Sequence, residues 1–354
     1  MTTPRAPRQG IYYALSAAVL FGCSTPFAKY LITSIEPQLL AGLLYAGAGI
    51  GLAIQIRVGN AFSPPTPKAS LHKFDFLWLA IAILFGGIIG PILLMFGLKF
   101  TPASNTSLLL NLESVFTTLF AWFLFHEHFD RRILWGMIAI LFGSLLLSWS
   151  GSPELSGYTG SLLIGGACVA WAIDNNVTRQ ISGNDSQQIA MWKGLVAGAA
   201  NLTIALVMGS SLPTAAVIIA ALVIGWLGYG VSLQLFVLAL RYVGTARTGA
   251  YFGIAPFVGV AISLLFFRSE LSFQLLPATL LMVVGVWLHV TERHSHEHLH
   301  ETSDHEHVHE HDEHHHHEHD KAVDLSSKHS HIHRHEPILH SHPHFPDLHH
   351  RHSH

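Results

Sequence analysis

Charge is what this sequence has least of. Only 12% of its 354 residues are Asp, Glu, Lys or Arg, where a soluble domain carries roughly 25%. With half of the chain apolar, that shortage excludes an ordinary soluble domain and points to a membrane protein. Cysteine is scarce as well: Cys23 and Cys168 both sit inside apolar runs, so they read as small buried hydrophobes and no disulfide framework is expected. Ahead of the C-terminal tail, histidine is confined to His72, His126, His128 and His289. No apolar run pairs a His with a carboxylate at i, i+4, so the spans argue against a bare metal ion as cargo. Also missing are a nucleophile motif and a phosphate-binding Gly loop with its lysine, which argues against an enzyme and against ATP-driven pumping.

Apolar runs are what the chain has in abundance. A membrane span needs roughly 20 mostly apolar residues, and ten runs qualify, at approximately 11–32, 38–56, 76–98, 104–125, 133–149, 160–178, 188–209, 214–240, 248–267 and 275–290. The first follows Arg5 and Arg8 in the manner of a signal peptide, but it is too long and nine comparable runs follow, so it reads as a first span. Basic residues near span ends set the orientation. With the N-terminus inside, twelve fall on the inner side (Arg5, Arg8, Arg57, Lys68, Lys73, Arg131, Arg132, Arg179, Lys193, Arg241, Arg247, Arg293) and three outside (Lys29, Lys99, Arg268). Both termini are therefore expected in the cytoplasm, on a multi-pass protein of the cell inner (plasma) membrane.

The chain also echoes itself. Residues 97–129 and 239–271 align at an offset of 142, which places Lys99 on Arg241, Phe100 on Tyr242 and Thr106 on Thr248. The segment FGCSTPFAK ending at Lys29 aligns without gaps on WAIDNNVTR ending at Arg179. Lys29 falls at an outer end and Arg179 at an inner one, as two repeats of opposite topology require.

Two five-helix repeats, a first helix with an aromatic, a small residue and a basic end, and a fourth helix with Leu112-Glu113 at mid-depth resemble the EamA-type drug/metabolite transporters. The resemblance spans about residues 11 to 291. It departs from the usual pattern at Ser114, where many members have Pro, while Pro256 occupies the matching place in the second half. It implies an all-α membrane protein, ten transmembrane helices forming two inverted five-helix repeats around a central cavity, with export by alternating access. The expected domains are a cytoplasmic N-terminus (1–10), a first repeat (11–150), a second repeat (158–291) and a disordered His-rich cytoplasmic tail (292–354).

Polar groups inside spans mark the candidate site, because an ionisable side chain at mid-membrane costs about 2.5 to 3.5 kcal/mol or more. At ~1.5 Å per residue, Glu113 lies about 13 Å deep, Asp174 about 20 Å below the outer surface and Lys193 about 8 Å above the inner one. In a core ~30 Å thick the last two depths nearly coincide, which predicts an Asp174–Lys193 ion pair. Asp174 and Asn176, two apart on a helix, cannot share a face. The triplet Asp174, Asn175 and Asn176 has two readings, as substrate ligands or as hydrogen-bonding glue between helices. Glu113 likewise has two: a carboxyl that exchanges a proton as the cavity opens to each side, or a structural group capped by Ser114 and Thr117. The candidate substrate-binding set is Glu113, Asn111, Trp171, Asp174, Asn175, Asn176 and Lys193, with Trp171 the one tryptophan beside the polar triplet. Lys29, Lys99, Arg179, Arg241 and Arg268 are expected to snorkel to headgroups.

From His294 onward the chain carries 24 of its 28 histidines. The candidate metal ligands are His294, His296, His298, His300, His305, His307, His309, His311, His314, His315, His316, His317 and His319, and imidazole suits Zn, Ni, Co and Cu. No cofactor is required. The expected partners are the lipid bilayer, a small-molecule substrate and divalent transition metals at the tail, with no nucleic acid and with a homodimer left open. A metal or metal-chelate exporter and a membrane metal sensor stand as alternatives to a metabolite exporter.

Overall fold

The computed structural model describes residues 5–62, 75–125, 131–148, 158–267, 273–291, 295–299, 303–309, 329–335 and 339–343. They belong to two compact units, Met1–Glu292 and Arg293–His354.

In the first unit the described residues form helices joined by short turns, as lipid demands: with no water to satisfy backbone groups, a spanning segment must bond to itself. In order these are α1 (Arg5–Leu31), α2 (Pro37–Phe62), α3 (Asp75–Ala82), α4 (Gly90–Phe100), α5 (Ala103–Leu109), α6 (Leu112–Phe125) and α7 (Arg131–Ser148). They continue with α8 (Thr159–Ile181), α9 (Ser186–Val207), α10 (Ala215–Ile224), α11 (Ser232–Phe252), α12 (Ala255–Phe267) and α13 (Leu275–Val290). Local signals set several ends. Pro37 opens α2, where its missing N–H costs nothing, and the Asp185 carboxylate caps α9 by accepting from the Gln187 N–H at 3.0 Å.

Seven helical stretches among the described residues are long and apolar enough to cross a membrane, and α13 is a shorter apolar helix. Helix α8 carries Asp174, Asn175, Asn176 and Arg179, which lower its hydropathy. Outward faces hold Phe76, Trp135, Phe142, Phe266 and Trp287, the residues a bilayer would cover.

Helix α2 packs along α9, α1 along α11 and α7 along α13, while α8 fills the angle between α3–α4 and α6. The α2–α9 seam is close because Gly194 lies against Gly49: a Cβ on Gly194 would fall 2.4 Å from the Gly49 nitrogen. Such small-residue seams let two backbones approach in lipid.

Three irregularities recur between the halves, the first two at an offset of 142 residues and the third at 143. A π turn at Ile83–Ile89 joins α3 to α4, and another at Gly225–Val231 joins α10 to α11. Pro102 separates α4 from α5, and Gly244, with φ 74 and ψ 178, kinks α11. Then α5 and α6 part at Leu110–Asn111, and α11 and α12 part at Gly253–Ile254. The expected continuous spans 104–125 and 248–267 are therefore each a pair of half-helices. At the first break the backbone tightens to i→i−3 bonds, Asn111 N to Leu108 O and Glu113 N to Leu110 O, both at 3.0 Å. At the second, Pro256 has no N–H to donate.

Two of the cations expected to snorkel do something else. Lys29 Nζ donates to the Leu98 and Thr101 carbonyls, and Arg241 donates to the Ser182 and Asn184 carbonyls. Each satisfies carbonyls just beyond or at a helix end, which otherwise lack donors. Arg179 is buried rather than reaching outward, and Lys99 is exposed. Arg268 lies outside the described residues.

The tail was expected to lack regular structure, yet the second unit contains four short strands. β1 (Ser295–Leu299) pairs antiparallel with β4 (Leu339–Pro343), and β2 (Ser303–His309) with β3 (His329–His335). Alternation of His with other residues suits an extended backbone of period two, and pairing satisfies its N–H and C=O groups. His296, His298, His305, His307 and His309 lie on these strands. His294, His300, His311, His314, His315, His316, His317 and His319 lie outside the described residues.

Candidate functional site

The site begins with a defect in a helix. In the π turn before α4 the Gly90 N–H bonds to the Phe85 carbonyl, and the next residue, Pro91, has no N–H. The Gly86 carbonyl is thus left without a helical donor. It takes two side-chain donors instead, Tyr45 Oη at 2.6 Å and Trp171 Nε1 at 2.9 Å. The neighbouring Gly87 carbonyl accepts from Asn201 Nδ2 at 2.8 Å, and Asn201 Oδ1 accepts from Gln38 Nε2 at 3.1 Å. One proline thereby ties α2, α8 and α9 to the same turn.

Opposite this turn, α8 presents its polar triplet. Lys193 Nζ lies 2.5 and 2.7 Å from the two Asp174 carboxylate oxygens, which is the ion pair expected from matching depths. Thr178 Oγ1 donates to Asp174 Oδ1 at 2.8 Å. The pair is buried, Lys193 being 1% exposed, and it fits only because residue 86 is glycine: a Cβ there would fall 1.8 Å from Asp174 Oδ2. Asn175 Nδ2 donates to Glu113 Oε1 at 2.8 Å and to Thr117 Oγ1 at 3.2 Å. Glu113 is therefore held by a neutral amide. The expected capping by Ser114 and Thr117 is not what forms, since Ser114 Oγ donates to the Asn111 carbonyl and Thr117 Oγ1 accepts from Asn175.

These groups border a small cavity. Helices α1, α2, α6 and α8 contribute Phe21, Tyr45, Glu113, Trp171, Asp174 and Asn175. The second π turn and α11 contribute Gly228, Tyr229, Ser232, Leu233, Phe236 and Phe252. Glu113 and Asn175 also border a second space beside the two helix breaks, with Ser114, Thr117, Gly253 and Pro256 around it.

Of the seven candidate residues, Glu113, Trp171, Asp174 and Asn175 line the main cavity. Asn176 instead joins helices, donating to the Thr117 carbonyl at 3.1 Å and to Ala172 at 2.9 Å. Asn111 bonds to the Leu108 carbonyl and to Met282 Sδ. Lys193 reaches the cavity only through Asp174. Sequence reasoning missed the aromatic wall of Phe21, Tyr45, Tyr229, Phe236 and Phe252. Two signals pointed toward it: Pro91 inside a span, and the alignment of Phe21 on Trp171, two rings that meet edge to face at 5.8 Å.

A family model described as the EamA-like transporter family matches the chain twice, over residues 8–149 and 158–291. The chain belongs to the EamA-like transporter family. Its members are transporters rather than enzymes. Among similar EamA relatives is an uncharacterized transporter of Methanothermobacter thermautotrophicus, 27% identical over 79% of this chain and 85% of that protein. A probable amino-acid metabolite efflux pump of Salmonella typhimurium is 25% identical over 80% of this chain and 95% of the pump. A segment covering 23% of the chain is 35% identical to a probable 4-amino-4-deoxy-L-arabinose-phosphoundecaprenol flippase subunit of Pseudomonas fluorescens, over 71% of it. A solved crystal structure superposes with a TM-score of 0.61 at 20% identity, over 79% of this chain and 95% of that one, so the two chains share a fold.

Proposed function

We propose that this protein is a secondary transporter that exports a small polar or amphipathic metabolite by alternating access, with Glu113 as its proton-exchanging group. The observation that carries this reading is the position of Glu113: an ionisable side chain beside a helix break, held by a neutral amide, and bordering a cavity walled by both matched segments. Exchange of a proton at this carboxylate as the cavity opens to each side would couple the cycle to the proton gradient. The paired helix breaks and π turns supply the joints about which half-helices can tilt. Export as the direction is carried over from the efflux pump and flippase subunit among the relatives.

The architecture fitting this reading is ten spans in two inverted five-helix repeats with both termini cytoplasmic, in the cell inner membrane. It is supported by the two family matches, the recurrence of irregularities between the halves and the inward bias of Lys and Arg. The tail, on this reading, holds Zn, Ni, Co or Cu ions at the cytoplasmic face and is not part of the transport path.

The test is a comparison of metabolite profiles in cells with and without the gene, followed by efflux assays on the compound that accumulates when it is missing. Efflux should slow when a protonophore is added, and Glu113→Gln should abolish it with the protein still present in the membrane. Protonophore-insensitive efflux would remove proton coupling, and efflux unchanged in Glu113→Gln would remove Glu113 from the mechanism.

A further inference from the structure

We infer that the cavity is built for organic cations, that is, a protonated amine or quaternary ammonium carried on a compact apolar body. This rests on the transport reading for the ligand's fate, while its chemistry is argued from the cavity wall.

The first observation is the charge balance. The described lining contains two carboxylates, Glu113 and Asp174, and no Lys, Arg or His. Asp174 is met by Lys193 at 2.5 Å, so its charge is cancelled from behind. Glu113 has the neutral Asn175 as its hydrogen-bond donor, which leaves one net negative charge when it is ionised. A positive group is attracted there and a carboxylate or phosphate is repelled.

The second observation is that the lining's side-chain donors are mostly committed elsewhere, the Tyr229 hydroxyl alone being without a partner among the described residues. Tyr45 Oη and Trp171 Nε1 both donate to the Gly86 carbonyl. Asn175 Nδ2 is taken by Glu113 and Thr117, and Ser232 Oγ donates to the Ala17 carbonyl at 2.8 Å.

The third is the aromatic wall. Six lining residues are aromatic, and their rings form a connected belt. Phe21 contacts Trp171, Tyr229 and Phe252 with centroids 5.8, 5.6 and 5.4 Å apart. Tyr45 meets Tyr229 at 5.4 Å, and Phe236 meets Phe252 at 4.9 Å. Aromatic faces attract cations by their quadrupole, and rings arranged around a carboxylate favour an alkylated ammonium over a well-hydrated metal ion.

The experiment uses the purified full-length chain in lipid nanodiscs with radiolabelled benzyltrimethylammonium as probe. Two competitors share its shape or its ring: neopentylbenzene, the neutral isostere with carbon in place of nitrogen, and phenylacetate, an anion. The expected result is saturable binding that either competitor displaces at least tenfold less well than unlabelled probe. Glu113→Gln should weaken binding at least tenfold. Phe252→Leu, which keeps an apolar wall but removes one ring face, should weaken it severalfold while eluting as the wild type does in size exclusion. No saturable binding, equal displacement by neopentylbenzene or phenylacetate, or full affinity in a well-folded Glu113→Gln would each overturn the inference. Binding as expected with no gene-dependent efflux of any cation would sink the transport reading and leave this one standing. Gene-dependent efflux of a compound that no cation inhibits would do the reverse.

Discussion

The Asp174–Lys193 pair holds α8 to α9, and the cost of disturbing it depends on how it is disturbed. Removing one partner strands a buried charge, which costs about 3 to 5 kcal/mol, while replacing both is often nearly neutral. Lys193→Met should therefore lower thermal stability in detergent far more than the double change Asp174→Asn with Lys193→Met. Equal losses in the two proteins would show that the pair is not what holds these helices. The same geometry makes Gly86 intolerant: its Cβ would overlap Asp174 Oδ2 at 1.8 Å. Gly86→Ala should unfold the site or expel Asp174 from its pairing, visible as a lowered melting temperature together with lost transport. Both effects follow from the backbone approach in the π turn.

At the scale of elements, the π turn and the kink at Gly244 are the features to test. Pro91→Ala returns an N–H to the helix and removes a residue that costs about 3 kcal/mol in a regular helical interior. The restored donor then competes with Tyr45 and Trp171 for the freed carbonyl. The expected outcome is a melting temperature equal to or above that of the wild type, with reduced transport; loss of both would mean the proline is needed for folding. Gly244 has φ 74 and ψ 178, a region that other residues reach only at a cost of about 1 to 3 kcal/mol, so Gly244→Ala should destabilise by that order.

These elements also show what the sequence made legible. Seven of the ten expected spans could be read because lipid admits only long apolar self-bonded segments, and the Asp174–Lys193 pair could be read because depth along a helix follows from residue count. The breaks at Leu110–Asn111 and Gly253–Ile254 could not, since half-helices have the same hydropathy as whole ones. The aromatic wall was hidden for a related reason: rings are common on every face of an apolar helix, and which of them turn inward depends on packing.

At the scale of the whole molecule, the question is how the tail relates to the transport unit. The helices form a compact unit of their own, and the tail, with 24 of the chain's 28 histidines, falls in a second one. Within the tail, His305, His307 and His309 stand opposite His333, His331 and His329 on the β2–β3 ladder. Among the described residues no three His, Cys, Asp or Glu are grouped to hold a metal ion, so any retention on a metal would rest on the many histidines of the tail acting together, since tethering weak ligands on one chain raises the effective concentration seen by an ion. Removing residues 294–354 should therefore abolish retention of the protein on immobilised zinc or nickel. Efflux of the metabolite cargo, measured per molecule of protein in the membrane, should stay within about twofold of wild type, because effects on an uncoupled site stay near additive. A collapse of efflux would place the tail in the transport cycle. A loss of metal tolerance with metabolite efflux intact would instead make ion capture a separate duty of the same chain, independent of the Glu113 cavity.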